Sequence, residues 1–441
     1  MKWGVILISA MLAAVPAELL SQSRMIGIDE CVKLSLQNSD EIKISMSKVK
    51  ESESKITEVT SQMLPQLKFS AGYTRLSSVD PFLVTVPFSP VPVKIADAVL
   101  NNYTLRLSAS QVVFSGFRLA SLKNIAEYGS RISSVDYDES KNNAAFEALT
   151  AYWNLYKATL GRQIAEQTMM QTERRITETK NFLLSGLATS TDLLRLEVQN
   201  SNAKLQLLEA ENAVSNSRIA LNRIIGYPAE NPTEPDTTSA FPDEELRAES
   251  YYVEYAIANR NELKSLKYAI ESSRESIRAS QSLYYPYVSV FGNVYYANPN
   301  QRVQPPVNEF KATWDVGIGL TWDLWNWGFT SSLTEQARQT EQQNMSRLDL
   351  AKKKIEQEVR QKYLNADYQK KRMETSELSV RLAQQSYDEV LKKYDVQLST
   401  STELADAETS LFIARRNYAF AMIDLRLSLI ALKKSCGIIL Y

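Results

Sequence analysis

The sequence predicts a mainly α-helical fold with a transmembrane β-barrel contribution: four β-strands per chain and very long coiled-coil helices, arranged as an internal duplication. Three observations carry this reading. The first is self-similarity. Leu64-Pro65-Gln66-Leu67 matches Tyr285-Pro286-Tyr287-Val288, and Phe114-Ser115-Gly116-Phe117 matches Asn326-Trp327-Gly328-Phe329. Leu187-Ala188-Thr189-Ser190-Thr191-Asp192-Leu193 matches Leu398-Ser399-Thr400-Ser401-Thr402-Glu403-Leu404, and Ile225-Gly226 matches Cys436-Gly437. The offsets are 221 (286 − 65), 212 (328 − 116) and 211 (398 − 187 and 437 − 226) residues, which is the pattern of one unit written twice. The second is alternation of apolar and polar residues in four segments, each about the 9–11 residues a tilted strand needs to cross a bilayer. The third is a pair of proline-free helical stretches whose ~65 residues would reach roughly 100 Å.

Composition narrows the function classes. The 441 residues carry 50 basic and 51 acidic side chains and no histidine. Near-neutral charge gives no reason to expect nucleic acid. The missing histidines remove the commonest general base and metal ligand. No metal cluster, Gly-rich phosphate loop or G-x-S-x-G motif is present, so no enzyme activity, metal or cofactor is expected. Cys31 and Cys436 are too far apart for a CxxC or zinc pattern and read as inert. A Cys31–Cys436 disulfide is the alternative in an oxidising compartment, since each lies near one end of the mature chain.

The elements follow in order. Lys2, the apolar run Val5–Val15 and the small residues of Val15-Pro16-Ala17 read as a signal peptide over 1–17, cleaved between 17 and 23. The first repeat, 24–226, opens with a helix over 28–63 with Asp29 as N-cap, ended by Pro65. Strand 66–76 sets Leu67, Phe69, Ala71 and Tyr73 against Lys68, Ser70, Gly72 and Thr74. A loop rich in proline (Pro81, Pro87, Pro90, Pro92) leads to strand 103–114, with Tyr103, Leu105, Leu107 and Ala109 opposite Thr104, Arg106, Ser108 and Ser110. Helices 118–184 and 191–225 complete the unit. An acidic, proline-rich linker over 227–248 reads as an irregular belt. The second repeat, 249–437, has a helix over 249–283, strands 286–297 and 312–325, and helices 330–394 and 402–435, followed by a tail, 438–441. Tyr284, Tyr285, Tyr295, Tyr296, Trp325 and Trp327 cluster at segment ends as interfacial girdles do.

The return helices explain their own packing. Leu404, Leu411, Tyr418, Leu425 and Leu432 recur every seven residues, and Ala407, Ala414, Ala421 and Ser428 follow three later. The first copy has Leu193, Asn200, Leu207, Val214 and Leu221 with Leu196, Ala203, Ala210 and Ser217. One large and one small column make a heptad seam that lets helices approach closely. Four strands cannot close a conducting barrel, and open edges do not face lipid, so the strands of several chains must combine. A pore-free exported coiled-coil scaffold is the rival from another class; it requires no detergent and no conductance.

This order of elements resembles the TolC-like outer-membrane efflux channels, over nearly the whole mature chain. The local match is at the two turns between long and return helix, Ser185–Leu193 and Tyr394–Leu404. The resemblance implies a homotrimer in the outer membrane, with a twelve-stranded barrel and an α-helical tunnel through the periplasm. It also implies an adaptor in the periplasm and a transporter in the inner membrane as partners, with outer-membrane lipid around the barrel. Glu403 and Asp406 match acids that line the pore constriction and favour cations; Asp192, Tyr394 and Arg195 fall at or near a network that holds the turns closed. Ser399 stands where the family has a basic residue, with Arg195, Lys392 and Lys393 as substitutes. Gly186, Leu187, Gln397 and Leu398 match the adaptor-contacting tips. Gln397 replaces glycine, which costs about 1 kcal/mol if the position needs a positive φ. Acids in a first helical turn also stabilise the helix end by roughly 0.3–1 kcal/mol, and serine and threonine there serve as N-caps. Protein secretion and metal export are the other cargo classes for the same architecture, the second disfavoured by the absence of histidine.

Overall fold

Helix, two strands and two long helices occur in that order twice along the chain. The computed structural model describes residues 24–441 except 79, 81, 89, 97–98, 237–244 and 397; the expected signal segment and Gln397 lie outside the described residues. The first run is β1 (Arg24–Ile26), α1 (Ile28–Asn38), α2 (Asp40–Ser61), β2 (Gln66–Arg75), β3 (Phe82–Val84), β4 (Val93–Ala96), β5 (Asn101–Phe114), α3 (Arg118–Leu184) and α4 (Ser190–Ile225). After β6 (Thr233–Pro235) come α5 (Glu249–Asn259), α6 (Asn261–Gln281), β7 (Tyr287–Asn298), β8 (Lys311–Thr321), α7 (Phe329–Asp395) and α8 (Ser401–Ser435).

One compact unit comprises Ser45–Tyr137 and Glu262–Ala351. It holds an antiparallel sheet in the order β2-β5-β7-β8, so β2 and β8 are its free edges among the described residues. The register decides the faces, because residues directly opposite on neighbouring strands share a face. Phe69, Leu107, Val294 and Trp314 form one row; Leu67, Ala109, Gly292 and Val316 form another. The other face carries the rows Lys68-Ser108-Asn293-Asp315 and Ser70-Arg106-Tyr295-Thr313. The apolar face is open: Phe69 is 66% exposed, Trp314 70% and Ile318 74%. Aromatics bracket it. Tyr73 and Tyr103 lie 5.0 Å apart and Tyr296 stacks on Phe310 at 4.9 Å at one end; Trp325 and Trp327 meet edge-on at 5.7 Å beyond the other. Tyr295 is not a girdle residue: as the alternation with Tyr296 implies, its ring lies on the polar face, under Arg106 at 5.3 Å.

The second unit comprises 24–44, Asp138–Asn261 and Lys352–Tyr441. Its core is built from Tyr152, Trp153, Leu155 and Tyr156 of α3, Leu221 and Ile225 of α4, Ile423 and Ile430 of α8, and Ile26 and Cys31. Leu404, Leu411 and Leu432 are buried with the whole small column Ala407, Ala414, Ala421 and Ser428. The tail is tied down: Asn142 donates to Ile438 O at 3.3 Å and accepts from Leu440 N at 3.0 Å. Cys31 and Cys436 are free and buried, and burial pushes their thiols up to about 12 and about 11.

Several expectations are corrected. The helix expected over 28–63 breaks at Ser39, and that over 249–283 breaks at Arg260. Each break seats on the end of a return helix. Asn38 Nδ2 donates to Ile225 O at 2.7 Å beside Gly226, and Arg260 Nη1 donates to Ser435 O at 3.1 Å beside Gly437. The N-cap of α1 is Gly27, with Asp29 inside the first turn. The linker 227–248 is not wholly irregular: β6 pairs in parallel with β1. Buried Asn222 holds it, its amide shared among the carbonyls of Pro228, Ala229 and Asn231 while Thr233 Oγ1 donates back at 2.7 Å. The proline-rich loop likewise contains the β3–β4 hairpin. Strands of three or four residues are too short to show a period.

The strand-to-helix turns use the left-handed region twice each, at Gly116 and Phe117 (φ +60° and +68°) and at Trp327 and Gly328 (φ +52° and +82°). A Cβ at Gly116 would stand 2.5 Å from Ser282 O, whereas one at Gly186, also at positive φ, meets nothing within 4 Å. Gly116→Ala is therefore expected to destabilise by roughly 2–4 kcal/mol and Gly186→Ala by about 1 kcal/mol. Denaturant midpoints in detergent check this; equal losses would contradict the packing argument.

Candidate functional site: the two helix turns

Both helix turns lie in the second unit, and each is closed by the same backbone chemistry. At the end of α3, Gly186 takes φ +76°, its N–H donates to Leu183 O at 3.1 Å, and Leu187 N donates to Phe182 O at 2.8 Å. That pair of bonds is a Schellman motif, and glycine avoids its Cβ penalty. At the end of α7 the corresponding six-residue bond joins Leu398 N to Lys393 O at 2.7 Å. Leu187 and Leu398 are exposed.

The return helices start with capping boxes. Thr189 Oγ1 accepts from Asp192 N at 3.2 Å while Asp192 Oδ2 accepts from Thr189 N at 3.0 Å. In the second copy Thr400 Oγ1 accepts from Glu403 N at 3.2 Å, and Glu403 Oε2 accepts from Thr400 N at 2.8 Å. Ser399, at the position where a basic residue was expected, donates its hydroxyl to Glu403 Oε2 at 2.6 Å. The Ser399 hydroxyl, the Thr400 amide and hydroxyl and the charge of Lys393 hold Glu403 below the usual carboxylate range. Hydroxyls of Ser401 and Thr189, the Thr189 amide and Arg195 do the same for Asp192.

The two turns are linked to each other within the chain. Ser401 Oγ donates to Asp192 Oδ1 at 2.5 Å, and the Arg195 guanidinium donates to Thr402 Oγ1. The structure thus brings Asp192 and Arg195 onto the second turn. It does not bring Tyr394 to them; Tyr394 is half-buried and has no hydrogen-bond partner among the described residues. Asp406 is exposed, three residues beyond Glu403 on the same helix.

Just inside the turns lies a buried polar cluster that sequence reasoning missed. Glu408 is only 7% exposed; Arg175 Nε approaches its Oε1 at 3.5 Å, and Gln199 Nε2 donates to its Oε2 at 3.4 Å. Arg175 also pairs with Glu178 at 2.9 Å and donates to Tyr387 Oη at 3.3 Å. Burial pushes the Glu408 carboxyl above its ordinary range; Arg175 and Gln199 only partly offset that. The cue was an acid directly beside the small seam column. It was ambiguous, because its counterpart one repeat earlier, Glu197 (408 − 211), is exposed. Further along, Asp424 joins Lys157 at 2.6 Å and Arg372 at 3.1 Å, tying α8 to both long helices.

Comparison with known proteins agrees with this architecture. The family model described as Outer membrane efflux protein matches residues 31–227 and 253–438. The chain is 22% identical to Outer membrane protein TolC of Vibrio cholerae over 383 residues, 87% of this chain and 84% of that one. Among solved structures, the outer membrane protein VceC of Vibrio cholerae superposes with a TM-score of 0.76 at 14% identity, covering 93% of this chain and 96% of that one. CusC superposes at 0.77, also at 14% identity, covering 95% and 96%.

Arg175→Met leaves the Glu408 carboxylate buried without its counter-charge, which should cost about 3–5 kcal/mol at neutral pH. Because the folded state already favours the protonated acid, that loss should shrink on acidification, from about pH 7.5 toward pH 5, and Glu408→Gln should erase the pH dependence. Denaturant unfolding at the two pH values decides it; a loss equal at both would show that Arg175 acts by packing alone.

Proposed function

The chain belongs to the outer membrane efflux protein family, and from that premise we propose that it is the outer-membrane channel of a tripartite efflux system, exporting small molecules with a periplasmic adaptor and an inner-membrane transporter. The observation that carries the reading is the sheet of β2, β5, β7 and β8, with one continuous exposed apolar face, one polar face and two unpaired edges. In lipid an unpaired edge leaves backbone groups with no hydrogen-bond partner, at several kcal/mol each. Pairing β2 of one copy with β8 of the next removes both edges. Three duplicated chains then close a twelve-stranded barrel, apolar outward and polar inward. Along the strands, nine steps of ~3.3 Å at a tilt near 40° span roughly 23 Å, the height of such a band.

The long helices form the tunnel wall in the periplasm, and the turns at Gly186–Leu187 and Gln397–Leu398 are the adaptor-facing tips. Asp192 and Arg195, through Ser401 and Thr402, latch the two turns of one chain together; Tyr394 is free to engage a neighbouring chain. Glu403 and Asp406 from three copies ring the axis. Glu403 is already engaged with its own helix start, so Asp406 presents the less satisfied charge to a permeating cation.

Reconstitution of the purified protein in a planar bilayer tests this. Trimer-sized conductance is expected, and the Glu403→Gln/Asp406→Asn variant should lose cation preference, with most of the change from Asp406→Asn. Absence of conductance would sink the channel; unchanged selectivity in the variant would sink only the acidic ring.

A further inference from the structure

The four strands of the sheet carry five charged side chains, and four are basic: Lys68, Arg75, Arg106 and Lys311 against Asp315. The register sorts them. Arg75 pairs across from Asn101 at the end of the apolar face and donates to Asn101 Oδ1 at 2.7 Å. Lys68, Arg106, Lys311 and Asp315 all fall on the polar face.

The acid does not balance the bases. Asp315 Oδ1 accepts from Asn293 Nδ2 at 2.6 Å, and its Oδ2 accepts from Arg302 Nη2 at 2.8 Å. Arg302 comes from the β7–β8 connection, folded back so that its Nη1 also donates to Trp314 O at 2.6 Å. Lys311 is matched by Glu309 at 2.6 Å. Arg106, by contrast, is held by neutral groups only: Nε and Nη2 donate to Asn293 Oδ1 at 3.1 and 2.8 Å, and the guanidinium lies over the Tyr295 ring. Lys68 is exposed and pairs with no acid among the described residues. Two positive charges per chain therefore stand unmatched on this face, one of them fixed in place by a two-pronged hydrogen bond.

We propose that Lys68 and Arg106 make the strand-built part of the pore anion-preferring, so that it favours small anionic solutes or the anionic end of a cargo, opposite in sign to the acids of the helix turns. This rests on the channel reading above. Fixed cations in a pore wall raise the local anion concentration and lower the barrier to anion entry. Pre-organisation of Arg106 by Asn293 and Tyr295 means that no side-chain ordering is required when an anion passes. The field is screened over about 10 Å at 0.1 M salt, so the preference should be strongest in dilute solution.

The test is the chloride-to-potassium permeability ratio of the trimer in planar bilayers under a KCl gradient. Glu403→Gln/Asp406→Asn serves as the reference, so that the turn acids do not mask the sign. Adding Lys68→Gln should lower the ratio by roughly twofold, and adding Arg106→Gln as well should lower it further, with larger effects near 0.01 M than near 1 M salt. Lys68 is exposed and pairs with no acid among the described residues of its own chain, so Lys68→Gln decides the matter if the Arg106 variant fails to assemble. Intact conductance with an unchanged ratio at low salt would overturn this inference and leave the channel standing. No conductance in the unsubstituted protein would overturn both.

Discussion

Among the described residues, backbone N–H and C=O groups along the outer edges of β2 and β8 have no ladder partner, and the apolar face between those edges is open. In water such a sheet would aggregate; in lipid it is forbidden unless the edges are joined. In the proposed assembly other copies join them, and closure around an axis would turn the polar face inward. In the proposed barrel Lys68, Arg106, Asn293 and Asp315 would line a path, and Phe69, Trp314 and Ile318 would meet hydrocarbon. The helical elements inherit the same demand. Each strand pair is followed in the chain by a helix of 67 residues, and most of the stability of a helix in a protein comes from packing its apolar seam against a neighbour.

A small set of helix-end devices does most of the local work. Four helix ends close with the same six-residue backbone bond: Leu187 N to Phe182 O, Tyr227 N to Asn222 O, Leu398 N to Lys393 O and Ile438 N to Lys433 O. Two starts use the same capping box, with Asp192 in one copy and Glu403 in the other. Against this common frame the copies diverge at particular side chains. Arg195 occupies the place of Asp406, and Glu408 is buried beside Arg175 where Glu197 is exposed. In the proposed trimer, this charge asymmetry between otherwise equivalent turns would give a pseudo-sixfold ring of helix ends a threefold character.

The strand faces could be read in the sequence because a period of two survives every local variation; alternation already set Tyr295 opposite Tyr296, and only its grouping with the girdle aromatics, made from residue type and position, was wrong. The N-cap role of Ser399-Thr400-Ser401-Thr402 was readable from residue type, but the engagement of Glu403 with its own cap was not, since an acid three residues into a helix suits both a cap and a pore ring. The breaks at Ser39 and Arg260 arise from contact with Gly226 and Gly437, nearly two hundred residues away in chain order, which periodicity cannot register. The burial of Glu408 is equally non-local: α3, α4 and α7 supply Arg175, Gln199 and Tyr387 around it, and none of these is a sequence neighbour.

Pairing of β2 of one copy with β8 of another is open to a direct chemical test. A cysteine replaces Ser70 on β2, combined in turn with one at Thr313, Gly319 or Thr321 on β8, and membranes are oxidised before denaturing electrophoresis. The native cysteines are buried with thiols pushed up to about 12 and about 11, so they should stay silent. At least one pair should give a thiol-reversible covalent trimer that neither single variant forms. If every pair leaves only single chains, with the protein folded and in the membrane, the shared barrel is wrong.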